Sequence, residues 1–330
     1  MTVAGQAPRH VVLIRPHRFR PNPLTAADNA FQHPLPGAPA EVAARARAEV
    51  DGLAATLEGI GVGVSVFEDP GGATPDSVFP NNWLSTHADG TVVLYPMCAA
   101  NRRPERRADV VEHLGARFAV RRVLDLSAHE RAGRFLEGTG AMVLDHAGGV
   151  AYACRSRRLD AGLFALACEE LGLAPLLVDA ADRRGVPVYH TNVLMSVGTE
   201  VAVVGSEMIR DDAQRRAVLN RLRESGREVV EISEEQVAGF LGNCLEVAGA
   251  EGPSLMLSAT AAAQLTAAQR RRLERWCQIV PAAVHTIEAA GGSVRCMLAG
   301  VHLPAAREER WAEGSTLCPR EEGAVPSAQV

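Results

Sequence analysis

The chain has 330 residues, of which 47% are hydrophobic and 22% are charged, and its formal net charge is −5. This composition is ordinary for a globular protein with a substantial core, and the negative charge argues against nucleic acid as the main partner. All 34 positions counted as Lys or Arg are arginine, which excludes a Schiff-base lysine and the lysine of a phosphate-binding loop.

The seven cysteines are scattered, odd in number and without a Cys-x-x-Cys pair, so they predict neither a disulfide framework nor a zinc site. The first residues lack the apolar segment of a signal peptide, and no run of 18 apolar residues occurs. We therefore predict a reduced, cytoplasmic protein with no membrane partner. No metal cluster or nucleotide motif is present, so no cofactor is predicted.

The chain begins with residues that resemble a loose arm (1–9), followed by a short buried strand (11–14). The segment 19–32 is irregular and rich in proline and amides, including Asn22. Such a segment is a loop that either lines a site or is simply solvated. Residues 41–59 have apolar positions at helical spacing and predict a helix with one buried face.

From residue 76 onward one unit recurs, in which a strand, a hairpin and a second strand are followed by a helix and a third strand. Its helices are predicted at 160–171, with Asp160 as the cap and Gly172 as the stop, and at 211–225. A polar residue leads each unit and is expected to begin a strand. These leading residues are Asp76, Glu137, His190, Asn243 and Cys296.

The last four of these residues follow one another at a constant interval of 53 residues. Periods of this length are typical of rings or stacks of repeats. Five units arranged around one axis would place the five side chains around a single central cavity. We predict an α/β domain covering residues 1–305, followed by a polar tail at 306–330.

The run Gly291-Gly292-Ser293-Val294-Arg295-Cys296 places a thiol beside a cationic side chain, which favours the reactive thiolate. A lone cysteine in an apolar run can equally be a small buried side chain. Cys296 occupies the same position in the repeat as His190 and Glu137, and this shared position favours a catalytic role. In this interpretation Cys296 is the nucleophile, His190 transfers protons, and Glu137 orients the histidine or holds the substrate.

These residues carry a family resemblance. Asp-Ser-Val-Phe at 76–79, Glu-Gly-x-Gly at 137–140, His190 before a strand and Gly-Gly-x-x-x-Cys at 291–296 resemble the guanidino-group-modifying (amidinotransferase, or pentein) superfamily. The segments at 22–32, 79–83 and 189–193 are similar to its arginine deiminase-related members of the citrulline utilisation hydrolase type. The resemblance covers residues 11–303 and implies a five-bladed α/β propeller built from ββαβ repeats around a central active site.

The resemblance also implies a mechanism. Cys296 would attack the central carbon of a guanidinium to give a covalent thiouronium, and His190 would protonate the departing ammonia and then activate water. Glu137 would bind guanidine nitrogens and position His190. The substrate-binding residues expected from the motifs are Asp76, Asn82, Asn22, Arg158, Asn192 and Asn243. Arg158 suits a substrate carboxylate because its guanidinium can bind both oxygens.

Two positions depart from the arginine deiminase pattern, because Asn82 and Asn192 stand where that family has acids. Each exchange removes a negative charge that would pair with a guanidinium, and an unpaired buried cation is costly. The site is therefore expected to take a ureido group, or to retain a ureido product for a second hydrolysis. The sequence leaves open whether the product is a ureido acid, as in a deiminase, or an amine, as in a dihydrolase. Arginine dihydrolases of the superfamily resemble the chain in having an asparagine at such a position.

Three other functions are compatible with these residues. An amidinotransferase would use the same cysteine and an amine acceptor. A cysteine peptidase would need an oxyanion hole and a long substrate groove, and nothing in the sequence indicates either. A pentein that binds a guanidino ligand without turnover is also compatible with the fold, since fold does not fix function. The expected partner is a small molecule, namely arginine, an arginine derivative or citrulline, and a homo-oligomer is compatible with the sequence.

Overall fold

The computed structural model describes residues 5–306. The predicted tail thus lies outside the described residues except for its first position. Each strand belongs to one of five three-stranded sheets. The strands are β1 (His10–Pro16), β2 (Gly63–Asp69), β3 (Leu84–Thr86), β4 (Thr91–Leu94), β5 (Arg122–Asp125), β6 (Met142–Asp145), β7 (Val150–Cys154), β8 (Ala174–Val178), β9 (Met195–Val197), β10 (Val201–Val204), β11 (Glu228–Glu231), β12 (Leu245–Gly249), β13 (Gly252–Ser258), β14 (Gln278–Ala282) and β15 (Ala299–Val301).

The helices differ greatly in length, from one turn to 21 residues. They are α1 (Pro39–Gly59), α2 (Ala108–Arg117), α3 (Gly138–Ala141), α4 (Ala161–Leu171), α5 (Thr191–Leu194), α6 (Asp212–Glu224), α7 (Glu234–Ala238), α8 (Ala259–Gln264), α9 (Ala267–Leu273), α10 (His285–Glu288) and α11 (Val294–Met297). Between residues 5 and 306, no helix has the length and apolar character needed to cross a membrane.

All five sheets share one topology, and the predicted repeat is confirmed. The sheet orders are β15-β1-β2, β3-β4-β5, β6-β7-β8, β9-β10-β11 and β12-β13-β14. In each sheet the first strand is antiparallel to the second, and the second is parallel to the third across a helical connection. The parallel pair needs such a crossover, whereas in four of the sheets the antiparallel pair is joined by a short turn. The C-terminal strand β15 completes the first sheet by pairing with β1, with Val301 opposite His10.

We call the strands β3, β6, β9, β12 and β15 the lead strands, because each follows one of the predicted site residues. The expectation that these residues begin strands is wrong. Glu137 and His190 immediately precede the one-turn helices α3 and α5, and Cys296 lies within α11. The turns depend on tertiary contacts: Gly138 has φ of 43°, and a Cβ there would lie 2.5 Å from the Asn81 carbonyl oxygen. Short-range apolar spacing carries no signal for such a turn.

The longer helices follow the sequence prediction closely. Helix α1 buries the predicted face, which includes Val50 and Leu57, in a core shared with β1. Helix α4 is capped by Asp160, whose Oδ1 accepts a hydrogen bond from the Leu163 backbone at 2.7 Å, and ends at Gly172 with φ of 65°. Local capping chemistry and apolar spacing determine these boundaries, so sequence alone can locate them.

The beginning of the chain is not a loose arm where the structure describes it. Gln6 is buried, and its Nε2 donates to the carbonyl oxygens of Leu144 at 3.0 Å and Val197 at 2.9 Å. These acceptors lie at the lead strands β6 and β9. The contact ties the N-terminal residues across two sheets, which no local pattern in residues 5–9 could indicate.

Five histidines are largely buried and held in the neutral form. Burial lowers the pKa of His10, His87 and His190 to about 4 and that of His146 to about 3, and brings that of His302 well below its ordinary value. In an unfolded chain a histidine titrates near pH 6.5. Between about pH 6.5 and 4 the unfolded state therefore binds more protons than the folded state, and stability is lost as the pH falls.

We expect the melting temperature to fall when the pH is lowered from 7 to 5. Burial also raises the pKa of Glu246, and it raises that of Glu105 to about 8; both act in the opposite sense, but these are two groups against five. Calorimetry of the wild type, His87→Gln and the exposed-histidine variant His285→Gln measures the slope. His87→Gln should flatten the pH dependence and His285→Gln should not, and equal stability at pH 7 and 5 in the wild type contradicts the assignment.

Candidate active site

One small cavity of about 10 Å³ gathers most of the predicted site residues. It is lined by Asn29, Asp76, Phe79, Asn82, Arg102, Arg158, Tyr189, His190, Ala290, Gly291, Gly292 and Cys296. A larger cavity of about 700 Å³ shares Tyr189 with it but is lined by none of the predicted catalytic residues. Between residues 5 and 306, no three His, Cys, Asp or Glu side chains are placed to share a metal ion.

Cys296 lies between two asparagine amides. Its Sγ is 3.4 Å from Asn192 Nδ2 and 3.2 Å from Asn243 Nδ2, and the residue is 2% exposed. Asn243 Nδ2 also contacts the Asn192 carbonyl oxygen at 2.9 Å, which fixes the amide relative to the sulfur. The structure thus places both asparagines beside the Cys296 sulfur. Neither of them lines the small cavity, so their contact with substrate stays a prediction.

The glycine pair before Cys296 lets the backbone approach two side chains. Gly291 has φ of 83°, a left-handed conformation that favours glycine, and a Cβ there would lie 2.3 Å from Asn29 Nδ2. A Cβ on Gly292 would lie 2.9 Å from the Phe79 ring. The Tyr189 hydroxyl donates to the Gly291 carbonyl oxygen. Close packing of this turn therefore places Cys296 at the cavity wall.

His190 and Glu137 form a buried pair, with Nε2 and Oε2 2.8 Å apart. Burial lowers the pKa of His190 to about 4 despite the nearby carboxylate, so the imidazole is neutral at neutral pH. The Glu137 carboxylate must then accept a hydrogen bond from Nε2–H, and Nδ1 is left as the basic nitrogen. A Cβ on Gly140 would lie 2.8 Å from Nδ1, so the glycine makes room for this ring.

Glu137 is completely buried yet remains ionised. Burial acts to raise its pKa, but the charge of Arg158, the hydrogen bond from His190 and the charge of Arg102 together lower it well below its usual range. The Cys98 backbone N–H adds a hydrogen bond to Oε1 at 3.0 Å. Positive charge and hydrogen-bond donors from three separate segments thus compensate one carboxylate.

Arg102 lies at the centre of a buried polar network. Its guanidinium contacts Glu105 at 2.9 to 3.2 Å and donates to Asn82 Oδ1 at 2.9 Å. It is also 3.5 Å from both Asp76 Oδ2 and Glu137 Oε2. The side chain is 2% exposed, so these contacts replace its hydration. Sequence reasoning missed Arg102, since nothing in the run at 101–107 distinguishes it from its arginine neighbours.

Arg158 lies in the predicted site but already has partners. Its Nη2 is 2.6 Å from Asp28 Oδ1, its Nη1 is 3.5 Å from Glu137 Oε2, and its guanidinium carbon is 4.8 Å from the centre of the Tyr189 ring. Asp28 belongs to the amide-rich loop that the sequence singled out. A substrate carboxylate would have to take the place of Asp28 to reach this guanidinium.

The amide-rich loop closes over the cavity. Asn22 Nδ2 donates to Asp76 Oδ2 at 2.8 Å, and Asn22 is fully buried. Asn29 Nδ2 lies 3.4 Å from the carbonyl oxygens of Ala290 and Gly291, next to the cysteine turn. The loop therefore lines the site, as one of the two sequence interpretations expected. Asn29 was not singled out, although it belongs to the same motif as Asn22.

Two polar atoms at the cavity are buried without a hydrogen-bond partner among the described residues. They are the acceptor Asp76 Oδ1 and the donor Asn82 Nδ2. The hydrogen bond from Arg102 to Asn82 Oδ1 fixes which end of the amide faces inward. Buried polar atoms are rarely left unpaired in native proteins. The pair therefore offers one acceptor and one donor to a ligand.

Comparison with known proteins gives a family match. The model of the family N,N dimethylarginine dimethylhydrolase, eukaryotic, matches residues 15–303. No curated protein matches the chain. The match spans every predicted site residue from Asn22 to Cys296, so the pentein superfamily suggested by the motifs is confirmed.

Solved structures share the fold. The N-terminal domain of ArgZ, an arginine dihydrolase from the ornithine–ammonia cycle in cyanobacteria, matches with a TM-score of 0.68 and 17% identity over 89% of this chain and 99% of that chain. Unliganded AgrE matches with a TM-score of 0.69 and 18% identity over 91% of this chain and 40% of that chain. A dimethylarginine dimethylaminohydrolase adduct matches with a TM-score of 0.59 and 15% identity over 89% of this chain and 99% of that chain. These likenesses establish a mixed α/β fold of the pentein type.

We expect Arg102→Gln to destabilise the protein by about 3 to 5 kcal/mol, because it leaves the buried Glu105 and Glu137 carboxylates less compensated. Arg103→Gln is the matched control. Arg103 is 37% exposed and 3.5 Å from Glu130, so its loss should cost less than about 1 kcal/mol. Urea unfolding measures both, and equal losses for the two variants would show that the network does not depend on Arg102.

Proposed function

The chain belongs to the family N,N dimethylarginine dimethylhydrolase, eukaryotic, and we propose that it is a cysteine-dependent hydrolase of the guanidino or ureido group of a small arginine-like amino acid. The observation that carries the proposal is the small cavity that has Cys296, His190 and Asp76 in its wall, with Glu137 hydrogen-bonded to His190. A nucleophile, a proton carrier oriented by an acid, and a counter-charge are the groups that this chemistry needs.

The first half-reaction forms a covalent bond to Cys296. Sγ attacks the guanidinium carbon, and the thiol proton passes to neutral His190. His190 then delivers that proton to the leaving nitrogen, the C–N bond breaks and ammonia departs. The thiouronium retains the single positive charge of the substrate, and His190 is neutral again. Ionised Glu137 stabilises the imidazolium that forms in between.

The second half-reaction releases the product. His190 accepts a proton from a water molecule as its oxygen attacks the thiouronium carbon. The C–S bond breaks, the proton returns to sulfur, and the positive charge leaves as a proton from the product. A ureido compound results. The amides of Asn192 and Asn243 stabilise sulfur at both stages by donating to it when it carries negative charge.

The unpaired atoms at the cavity favour a ureido ligand at one stage of the reaction. Asp76 Oδ1 can accept from an N–H, and Asn82 Nδ2 can donate to a carbonyl oxygen. A ureido group presents both, whereas a guanidinium presents only N–H donors. A retained ureido product would undergo a second hydrolysis to ammonia, carbon dioxide and an amine. We therefore propose the dihydrolase outcome, which is the activity of ArgZ.

The five sheets support the predicted five-bladed propeller. A second cavity is lined by at least one residue from each lead strand, among them Ser85, Leu144, Ser196, Leu245 and Gly300. Five strands surrounding one space are what a propeller axis requires. We propose that residues 1–305 form this single catalytic domain, and that it acts in the cytoplasm on arginine, an arginine derivative or citrulline.

The test is a product assay with arginine, methylated arginines, citrulline and agmatine, in which ammonia and ureido product are measured together. Two ammonia molecules per arginine without a ureido product are expected, and accumulation of the ureido compound would indicate a deiminase. Agmatine, which lacks the carboxylate, should react slowly if Arg158 binds that group. Cys296→Ala should abolish turnover, while Cys168→Ala, which removes a buried thiol from α4, should retain it.

Two results would contradict the hydrolase assignment. Transfer of the amidino group to an added amine, with little ammonia, would identify an amidinotransferase. Binding of an arginine-like compound by calorimetry with no turnover by any member of the panel, and with Cys296→Ala indistinguishable from the wild type, would identify a binding protein.

We expect Gly140→Ala to lower kcat by about 100-fold or more, since small displacements of catalytic groups have effects of this size. A Cβ there would lie 2.2 Å from Asn82 Nδ2 and 2.8 Å from the His190 ring, so both groups must move. Gly115→Ala in α2, where nothing lies within 4 Å of the added carbon, is the control. Unchanged kinetics in Gly140→Ala would show that the placement of His190 and Asn82 does not limit the rate.

A further inference from the structure

A second polar cavity, of about 40 Å³, lies along the same five lead strands as the candidate active site. Each lead-strand residue in its wall follows a site residue in the chain, as Ser85 follows Asn82 and Gly300 follows Cys296. A strand advances by roughly 3.3 Å per residue, so the cavity lies farther along the strands and is distinct from the cysteine site. Neither the proposed mechanism nor the family match uses it.

The wall of this cavity carries one full positive charge. Arg295 precedes Cys296 in α11, and its side chain lines the cavity, where Nη1 donates to the Leu298 carbonyl oxygen at 3.0 Å. Within residues 5–306, no carboxylate lies within salt-bridge distance of this guanidinium. Burial lowers the pKa of Arg295 to about 10, although nearby cysteines act against this. Arg295 is partly buried, and without a carboxylate partner its cation is under-compensated.

Histidines complete the same wall. The rings of His146 and His302 both line the cavity with centres 3.9 Å apart, and His87 packs 5.7 Å from His146. Burial and the neighbouring positive groups, Arg295 among them, keep the pKa of His146 and His302 far below 7, so both rings are neutral. A neutral imidazole can donate a hydrogen bond from its N–H without adding charge. Arg295 is therefore the single cation in the wall of this cavity.

No acid offsets that charge from the cavity wall. Neither Asp nor Glu is among the residues that line it. The nearby acids are engaged elsewhere: Asp145 binds Arg227 at 2.7 and 2.8 Å, and Glu246 accepts from the Thr199 backbone at 3.0 Å. Asp89, which faces His87, accepts from the Thr91 backbone at 2.9 Å. The electrostatics of the wall are therefore those of an anion site.

The geometry points to a binding site for one small monovalent anion of halide size, held by the Arg295 guanidinium with an N–H donor from His146 and with His302 packed beside it. The volume fits this ligand, since a water molecule needs roughly 10 to 15 Å³ of such space and the cavity has about 40 Å³. A single cation matches a single negative charge. Gln6 closes one side by its contacts with β6 and β9, which shields the ion from water.

The experiment compares thermal stability in sodium chloride or bromide with sodium gluconate at equal ionic strength. A ligand that binds only the folded state raises the melting temperature with concentration, and gluconate is too large for the cavity. The wild type should be stabilised by both halides. Arg295→Met should lose this response, and Arg216→Met, which removes an exposed arginine from α6, should keep it.

A bromide-soaked crystal of the wild type provides a second measurement that does not depend on a variant folding. An anomalous peak against the Arg295 guanidinium and the His146–His302 pair supports the site. Bromide found only at exposed arginines, or a halide response that persists in Arg295→Met, would overturn the proposal. Neither measurement involves turnover. The anion site can therefore be disproved without affecting the hydrolase assignment, and the hydrolase assignment can be disproved without affecting the anion site.

Discussion

The compensation of one buried carboxylate organises the centre of this protein. Glu137 is 0% exposed, and a buried negative charge is tolerated only when positive charge and hydrogen bonds replace its lost hydration. Arg102 and the Cys98 N–H, Arg158, and His190 supply that compensation from three segments that are distant in sequence. The network can therefore form only when the sheets have assembled, and the site and the fold depend on the same contacts.

The same electrostatic interactions determine the protonation states of the candidate catalytic groups before a substrate binds. Burial keeps His190 neutral, and Glu137 keeps its Nε2 proton in place. A neutral imidazole can take the thiol proton and return it, as the proposed reaction requires twice. Arg102 and Arg158 reduce the negative charge that Glu137 can offer a substrate cation. This limits how strongly the site can hold a guanidinium and is compatible with a ureido intermediate.

Close backbone packing is the second condition for the site. Gly138, Gly140, Gly291 and Gly292 all stand where a Cβ would lie within 3 Å of a neighbouring side chain or carbonyl oxygen. Each is in, or next to, a one-turn helix before a lead strand. These turns bring the ends of different repeats against one another, so that side chains spaced 53 residues apart along the chain share a cavity.

The sequence by itself determined the repeat, the long helices and the candidate catalytic set. Apolar spacing and capping chemistry are local, which is why α1 and the ends of α4 could be predicted, and the common phase of Glu137, His190 and Cys296 along the chain was enough to indicate one site. Only the tertiary structure decided which partner each polar group takes. In the structure the amides of Asn192 and Asn243 contact the Cys296 sulfur, and Arg158 pairs with Asp28. Arg102, one of several arginines in its run, is the one that enters the buried network. The physical reason is that the free energy of a buried charge depends on atoms brought together from distant segments, and a sequence read locally contains no measure of those distances.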